Sequence, residues 1–292
     1  MQVGIQMFTV RNHFYEDPIG TFKEVAKVGY KAVELANHKC EYDPVSSFGM
    51  PAEELKKTLE DFNLKLIGAH IIPDDKTKIS TIYQDKDCMM RNIEYAAKAG
   101  MPYLSLPIDL FPSKSYLMSR CEVYNQLGEW CQEYGIKLLY HNHYHEFQKF
   151  DGEYVLDLIM KNTDPAKFFI ELDAYWTFVG ATDPVKKIRE YGDRIAILHE
   201  KDFPLERIQY ANAWAFVDQT KPLDYKSFKS LVKPENFIEV GEGIIKIQDV
   251  IDAGNEYNIP WILIEQDYTK LDEFESIQVS MNNFRKYRGL EW

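Results

Sequence analysis

Short apolar runs alternate with amphipathic segments along most of the chain. Eight of these runs are rich in Val, Ile, Leu and Phe and are apolar on both faces. This pattern is typical of parallel strands buried between a barrel core and an outer layer of helices. We predict strands at Val3–Thr9, Ala32–Leu35, Lys65–Ile71, Tyr103–Pro107, Ile136–Asn142, Phe168–Asp173, Ile195–His199 and Trp261–Glu265.

The segments between the runs have the periodicity and the end signals of helices. We predict helices at Thr21–Val28, Pro51–Phe62, Asp87–Ala99 and Tyr116–Tyr134. Gly29, Gly100 and Gly135 follow three of them, and glycine readily adopts the left-handed conformation that ends a helix. Asp183 followed by Pro184 indicates another capped helix start. Strand–helix alternation repeated about eight times favours a single-domain (β/α)₈ TIM barrel over residues 1–292 rather than an open sheet.

One connection is much longer than the others. It lies between the seventh and eighth predicted strands and runs from Lys201 to Pro260. It contains a helical stretch at Asp224–Val232, an extra apolar run at Phe237–Val240 and a second helix near Ile247–Tyr257. We interpret this segment as an elaborated loop and helix over the mouth of the barrel.

Composition and charge narrow the classes of partner. The 292 residues are 45% hydrophobic and 27% charged, without an apolar run long enough for a transmembrane helix and without a signal peptide at the start. The four cysteines are scattered, which suits reduced thiols and a cytoplasmic location. The net charge of −12 argues against nucleic acid and anionic membranes, because phosphate binding needs clustered Lys and Arg. A small molecule is therefore the expected partner.

Polar residues at the strand ends are the candidate site residues, because catalytic groups in such barrels cluster there. Any one of them could be a helix cap, an ion-pair partner or a structural histidine. Burying several charged groups together costs several kcal/mol each unless they are paired or hold a metal. Asp, Glu and His without Cys suit Mn²⁺, Zn²⁺, Mg²⁺ or Co²⁺. The candidates are Glu34, His70, His141, His143, Glu146, Asp173, His199, Lys201 and Glu265.

Five pieces of sequence, in order, resemble the sugar phosphate isomerase/epimerase family of the xylose isomerase-like barrel superfamily. The opening VGIQMFTVR also resembles its first strand, so the likeness extends over nearly the whole chain. The pieces are YHNHYHEF (Tyr140–Phe147), ELDAYW (Glu171–Trp176), ILHEKDF (Ile197–Phe203), EVGEGII (Glu239–Ile245) and ILIEQD (Ile262–Asp267).

The resemblance implies a divalent metal held by Glu, Asp, His and Glu from strands five to eight. Asp173, His199 and Glu265 occupy the last three of these positions. The first is a departure, because the usual Glu position falls on His141 and the next acidic residue is Glu146. Either His141 replaces the carboxylate or Glu146 reaches back from beyond the strand. We favour Glu146 as the fourth ligand, with a catalytic role for it and for Glu265.

The resemblance also implies roles around the metal. His143 has the offset of an acid/base residue in related dehydratases, although a hydrogen bond to a metal ligand is the plainer alternative. Lys201 could act on a substrate oxygen or phosphate, or form an ion pair with Asp202. The residues expected to line the substrate pocket are Glu34, His70, His141, Lys201, Trp176 and Phe8.

A metal that polarises a carbonyl acidifies the neighbouring C–H, and a base can then form an enediolate. Isomerase or epimerase chemistry on a sugar-like ketose or polyol is the leading expectation. A lyase acting on a keto-sugar or keto-inositol is the alternative, and a non-catalytic sugar-binding barrel is a remote one. The acidic charge argues against the superfamily's DNA endonucleases. By resemblance, the chain could form a homodimer or homotetramer.

Overall fold

The fold is taken from a computed structural model that describes residues 1–40, 48–73, 79–219 and 221–292. Within these ranges it describes all side chains except those of 37–40, 72–73 and 79–80. Two hydrophobic regions organise the fold, one inside a ring of strands and one between that ring and the surrounding helices.

Eight parallel strands form a closed barrel in which each strand pairs with its neighbours in sequence and the last pairs with the first. This confirms the predicted (β/α)₈ barrel. The strands are β1 (Gln2–Gln6), β2 (Ala32–Cys40), β3 (Lys65–Pro73), β4 (Tyr103–Leu106), β5 (Lys137–His141), β6 (Phe168–Asp173), β7 (Ile195–Glu200) and β8 (Trp261–Ile264). A separate short hairpin pairs Lys149–Phe150 with Glu153–Tyr154.

Helices connect the strands and pack against their outer faces. Glycines with positive φ follow all three of the helices for which they were predicted, at Gly29 (φ 115°), Gly100 (φ 79°) and Gly135 (φ 72°), and the side chain of Asp183 accepts the Val185 N–H to begin another helix. The helices are α1 (Arg11–Glu16), α2 (Pro18–Val28), α3 (Ala52–Asp61), α4 (Ile79–Ile82), α5 (Lys86–Ala99), α6 (Lys114–Glu133), α7 (Val155–Asn162), α8 (Ala174–Val179), α9 (Pro184–Tyr191), α10 (Tyr225–Leu231), α11 (Ile247–Glu256) and α12 (Glu273–Phe284).

One predicted strand is shorter than expected, and the extra apolar run of the long connection lies in a loop, as interpreted from the sequence. The first strand ends at Gln6 because Met7–Val10 turns into a 3-10 helix, which the Gln6 side chain caps by accepting the Phe8 N–H at 3.1 Å. The apolar run Phe237–Val240 is not a strand, and only Ile238 forms an isolated bridge, with Asp202. Of the cysteines, Cys121 and Cys131 are free buried thiols, and the Cys40 side chain lies outside the described part.

The barrel interior changes from apolar to polar along its axis. Its lower part is filled by apolar side chains that include Ile67, Leu139, Ile197 and Leu263. Above this plug, the carboxyl ends of the strands direct the candidate polar residues to one end of the axis. None of the helices in the described ranges is long and apolar enough to span a membrane.

Candidate metal centre and active site

His199 on β7 lies at the centre of the buried polar cluster. Its Nδ1 is 2.8 Å from Oε2 of Glu265, and its Nε2 is 2.5 Å from Oε1 of Glu171 and 3.0 Å from Oε2 of Glu34. Burial opposes the charged imidazole, but these carboxylates outweigh it and raise the pKa of His199 well above its usual value. Carboxylate oxygens therefore lie beside both ring nitrogens of His199 and favour its charged form.

Lys201 lies two residues further along the chain and is also buried. Its Nζ is 2.6 Å from Oδ2 of Asp173, contacts Oε2 of Glu265 closely and is 3.7 Å from Oδ1 of Asp267. The alternative ion pair with Asp202 does not form, because the Asp202 carboxylate accepts hydrogen bonds from backbone N–H groups of the following loops. Lys201 thus neutralises carboxylates of the site itself.

A second layer of polar side chains lies beneath the cavity. His70 Nε2 is 2.9 Å from Oε2 of Glu171 and 3.2 Å from Oε2 of Glu34, and Gln6 donates to the same Glu34 oxygen at 2.7 Å. Burial lowers the pKa of His70, but the charges of Glu34 and Glu171 outweigh it and raise that pKa to about 10. Glu171 is not among the site residues predicted from the sequence, although its position two residues before Asp173 on one strand puts both side chains on the same face.

Four buried side chains, one from each of β5 to β8 or the residue after it, offer donor atoms that lie within 4.8 Å of one another: His141, Asp173, His199 and Glu265. Two imidazoles and two carboxylates within this distance match the donor set of a zinc, manganese or cobalt ion. His141 Nδ1 is buried without a hydrogen-bond partner in the described part of the chain and lies 3.7 Å from Oε2 of Glu171. The residues therefore fit a bound divalent ion.

Glu146 does not join these four donors. Its Oε1 accepts from the Tyr140 hydroxyl at 2.5 Å and its Oε2 from the His143 backbone N–H at 2.8 Å, while His145 Nε2 lies 3.1 Å from Oε1. Tyr140 alternates with His141 along β5, so it points to the opposite side of the strand. The structure thus places His141, rather than Glu146, beside Asp173, His199 and Glu265.

Asp173 has two partners that explain its position. Its Oδ1 accepts the Trp176 N–H at 2.6 Å and caps α8, while its Oδ2 faces Lys201. One carboxylate oxygen of Asp173 therefore caps a helix, which was one of the alternatives for a strand-terminal Asp. The other oxygen is available to the site. Burial raises the pKa of Asp173 to about 6 against the opposing charge of Lys201.

A cavity of about 260 Å³ lies over this cluster. Glu34 and Lys201, both expected to face the substrate, are buried and do not line it, whereas His70, His141 and Trp176 do. Helix α10 contributes part of the cavity wall. It belongs to the long connection that was predicted to lie over the mouth of the barrel. The lining consists of Phe8, Ala36, His70, Pro107, Ile108, His141, His143, Trp176, Tyr225, Phe228, Lys229, Val232, Glu265 and Asp267.

His143 lines the cavity between aromatic rings. Its ring lies 5.2 Å from those of Trp176 and Phe228, and its Nδ1 is buried without a hydrogen-bond partner among the described residues. Burial, together with the neighbouring His141, holds the pKa of His143 well below its usual value. His143 is therefore a neutral imidazole at neutral pH, able to accept a proton.

Comparisons with known proteins agree with this architecture. The inosose dehydratase of Lacticaseibacillus casei is 31% identical over 153 residues, which are 51% of this chain and 47% of that protein, so the match spans about half of the relative's length. A sugar phosphate isomerase/epimerase structure from Parabacteroides distasonis has a TM-score of 0.78 at 21% identity and covers 99% of this chain and 95% of that chain. The IOLI protein with a binding zinc atom has a TM-score of 0.70 at 15% identity, with coverages of 98% and 97%.

At these identities the solved structures establish similarity of fold alone. The family assignment rests on a family model, described as the xylose isomerase-like TIM barrel, which matches residues 22–287. Because this match extends over most of the chain, the protein belongs to the xylose isomerase-like TIM barrel family.

Proposed function

We propose that the protein is a divalent-metal-dependent lyase that removes water from a small keto-sugar or keto-cyclitol. The proposed ligands are the four clustered donors His141, Asp173, His199 and Glu265. A divalent ion held there would act as a Lewis acid that polarises a substrate carbonyl and acidifies the neighbouring C–H. The zinc of the structurally similar IOLI protein supports this assignment.

His143 is the proposed acid/base residue. His143 lines the cavity, and its Nδ1 is enclosed by protein without a hydrogen-bond partner among the described residues, so we assign Nε2 as the nitrogen that meets the substrate. Its lowered pKa keeps the ring neutral, so Nε2 can take a proton from a carbon next to the carbonyl. The aromatic rings of Trp176 and Phe228 limit access of water to that nitrogen.

The number of available bases favours elimination. Of the imidazoles and carboxylates described along the cavity wall, His143 alone stands outside both the proposed ligand set and an ion pair, since His70 faces Glu34 and Asp267 faces Lys201. One imidazole can take the proton from carbon and return it to the departing hydroxyl, so that a C=C bond forms and water leaves. The name of the Lacticaseibacillus casei relative agrees with this chemistry.

Isomerisation or epimerisation remains the second candidate, favoured by the sugar phosphate isomerase/epimerase of Parabacteroides distasonis. Epimerisation requires a second base on the other side of the substrate. Glu265 is a lining carboxylate that could serve as this base. Burial raises its pKa, but the charges of Lys201 and His199 lower that pKa by more. Glu265 is therefore ionised and held in ion contacts with both residues.

Incubating the metal-loaded protein with a keto-inositol and a panel of keto-hexoses in D₂O tests the proposal. A product lighter by one water molecule is expected. Replacing His143 with Ala should lower kcat by at least about 100-fold without changing the metal content, whereas His13→Ala, on the surface helix α1, should leave kcat unchanged. Deuterium in a recovered sugar isomer without water loss would instead establish the isomerase, and no turnover of any ketose would reject both.

A further inference from the structure

Helix α10 forms a fixed roof over the cavity. Phe228 packs with its ring 4.9 Å from that of His145 and stacks 5.4 Å from that of Tyr144. The Tyr144 hydroxyl also donates to the Phe228 carbonyl at 2.9 Å. These contacts tie α10 to the loop that follows β5, so the residues of its inner face have defined positions over the site.

Lys229, the residue after Phe228, is the only lysine or arginine described along the cavity wall. Its ammonium group forms no ion pair or hydrogen bond with a described residue, in contrast to the buried Lys201 below it. Lys229 and Asp267 both line the cavity, so Lys229 lies on the cavity side of the helix.

The surroundings of Lys229 offer a bound anion few other partners. Much of the cavity wall is apolar, with Phe8, Ile108, Trp176, Phe228 and Val232 among its residues. Lys229 itself is exposed, so its ammonium group is accessible to a charged group of a bound molecule, and solvent partly screens such a charge pair. A neutral substrate would offer this cation no charged partner.

We propose that Lys229 binds an anionic group of the substrate, a carboxylate or a phosphate. This inference rests on the proposed function, because it assumes that a keto-sugar occupies the cavity. It narrows the substrate class from neutral keto-polyols to keto-sugar acids or keto-sugar phosphates.

Equilibrium binding of three ligands to the metal-loaded protein tests the proposal: fructose, fructose 6-phosphate and fructuronate. Calorimetry should show that at least one anionic sugar binds about fivefold or more tightly than fructose, the upper end for a partly exposed charge pair. Lys229→Met should remove this preference and Lys229→Glu should reverse it. Lys226→Met, on the same helix and likewise exposed but not part of the cavity wall, is the matched control and should keep the preference.

Each outcome decides the proposal. Tighter binding of the phosphate or of the uronate identifies which anion Lys229 recognises. Equal binding of charged and neutral sugars by the wild-type protein, or a preference that survives in Lys229→Met, overturns this inference and leaves the proposed function intact. If none of the three sugars binds although the metal does, this inference fails, and the turnover assay with a keto-inositol decides whether the proposed function fails with it.

Discussion

The fifth strand shows how one residue position determines the chemistry of the site. His141 and Glu146 are both plausible fourth ligands in the sequence, because loop geometry after a strand is not encoded in spacing. The structure separates them through Tyr140, whose hydroxyl binds Glu146 on the opposite side of β5 from His141. The ligand set that we propose therefore contains His141 in place of the expected Glu146.

The buried position of Glu146 predicts an unusual pH dependence of stability. Burial raises its pKa to about 8, so the folded protein retains a proton that the unfolded chain releases near the ordinary value of 4.5. Between these values the folded state binds more protons, and stability falls as pH rises. The Glu146→Gln variant has no ionisable group at this position. Its unfolding free energy minus that of the wild type should therefore increase by up to roughly 1.4 kcal/mol for each pH unit from pH 5 to pH 8.

Urea unfolding of chelator-treated protein at several pH values between 5 and 8 measures this difference. The exposed Glu133, at the end of α6, provides the control, and Glu133→Gln should follow the wild-type curve. Parallel curves for Glu146→Gln and wild type would show that Glu146 is ionised in the folded protein.

At the scale of elements, apolar periodicity predicts which segments form strands, because each barrel strand is buried on both faces. It does not predict where they end. β1 stops at Gln6 since the Gln6 side chain caps the next turn, an interaction invisible to hydrophobic patterning. The apolar run Phe237–Val240 finds no strand to pair with, because a closed barrel has no free edge. These residues pack as a loop instead.

The site could be predicted only in part for a related reason. Parallel strands bring their carboxyl ends together, so Asp173, His199 and Glu265 were expected to meet, and the structure does bring them together. The depth of each side chain depends on the stagger between strands, which the sequence does not reveal. Glu34 and Glu171 consequently lie in a lower layer beneath His199, where they orient the imidazole rather than face the cavity.

The side chain of Asp202 is predicted to stabilise the loop that follows β7. The Asp202 carboxylate accepts N–H groups from Phe203, Gly241, Gly243 and Ile245 and so joins two parts of the long connection. Asp202→Ala leaves these buried donors unsatisfied and should reduce the unfolding free energy by roughly 3 kcal/mol, since each orphaned donor costs about 1–3 kcal/mol before relaxation. Asp193→Ala, at an exposed position without a side-chain hydrogen bond, should be neutral in the same denaturant titration. Equal stabilities of the two variants would contradict this account.

Across the whole molecule, the buried end of the barrel has a surplus of negative charge. Glu34, Glu171, Asp173 and Glu265 are all buried around a single buried lysine, Lys201, with imidazoles supplying the remaining positive charge. A divalent ion would relieve this surplus and bind only to the folded state, so it should stabilise the protein.

Thermal unfolding with and without added Zn²⁺ or Mn²⁺ measures that stabilisation. Free metal at a hundredfold excess over Kd should add about 2.7 kcal/mol, equivalent to a rise in Tm of roughly 4 °C for a domain of this size. Asp173→Asn should lose most of the rise. An unchanged Tm of the wild-type protein at saturating metal would contradict stabilisation by a bound ion.

The central claim is that His141, Asp173, His199 and Glu265 hold a divalent metal. Competition against a chromophoric chelator, with wild-type protein, His141→Ala and Glu146→Gln side by side, tests it most directly. We predict one ion per chain in the wild type, an affinity reduced by at least about 100-fold in His141→Ala, and an unchanged affinity in Glu146→Gln. Loss of affinity in Glu146→Gln with retention in His141→Ala, or no stoichiometric metal in the wild-type protein, would contradict the account.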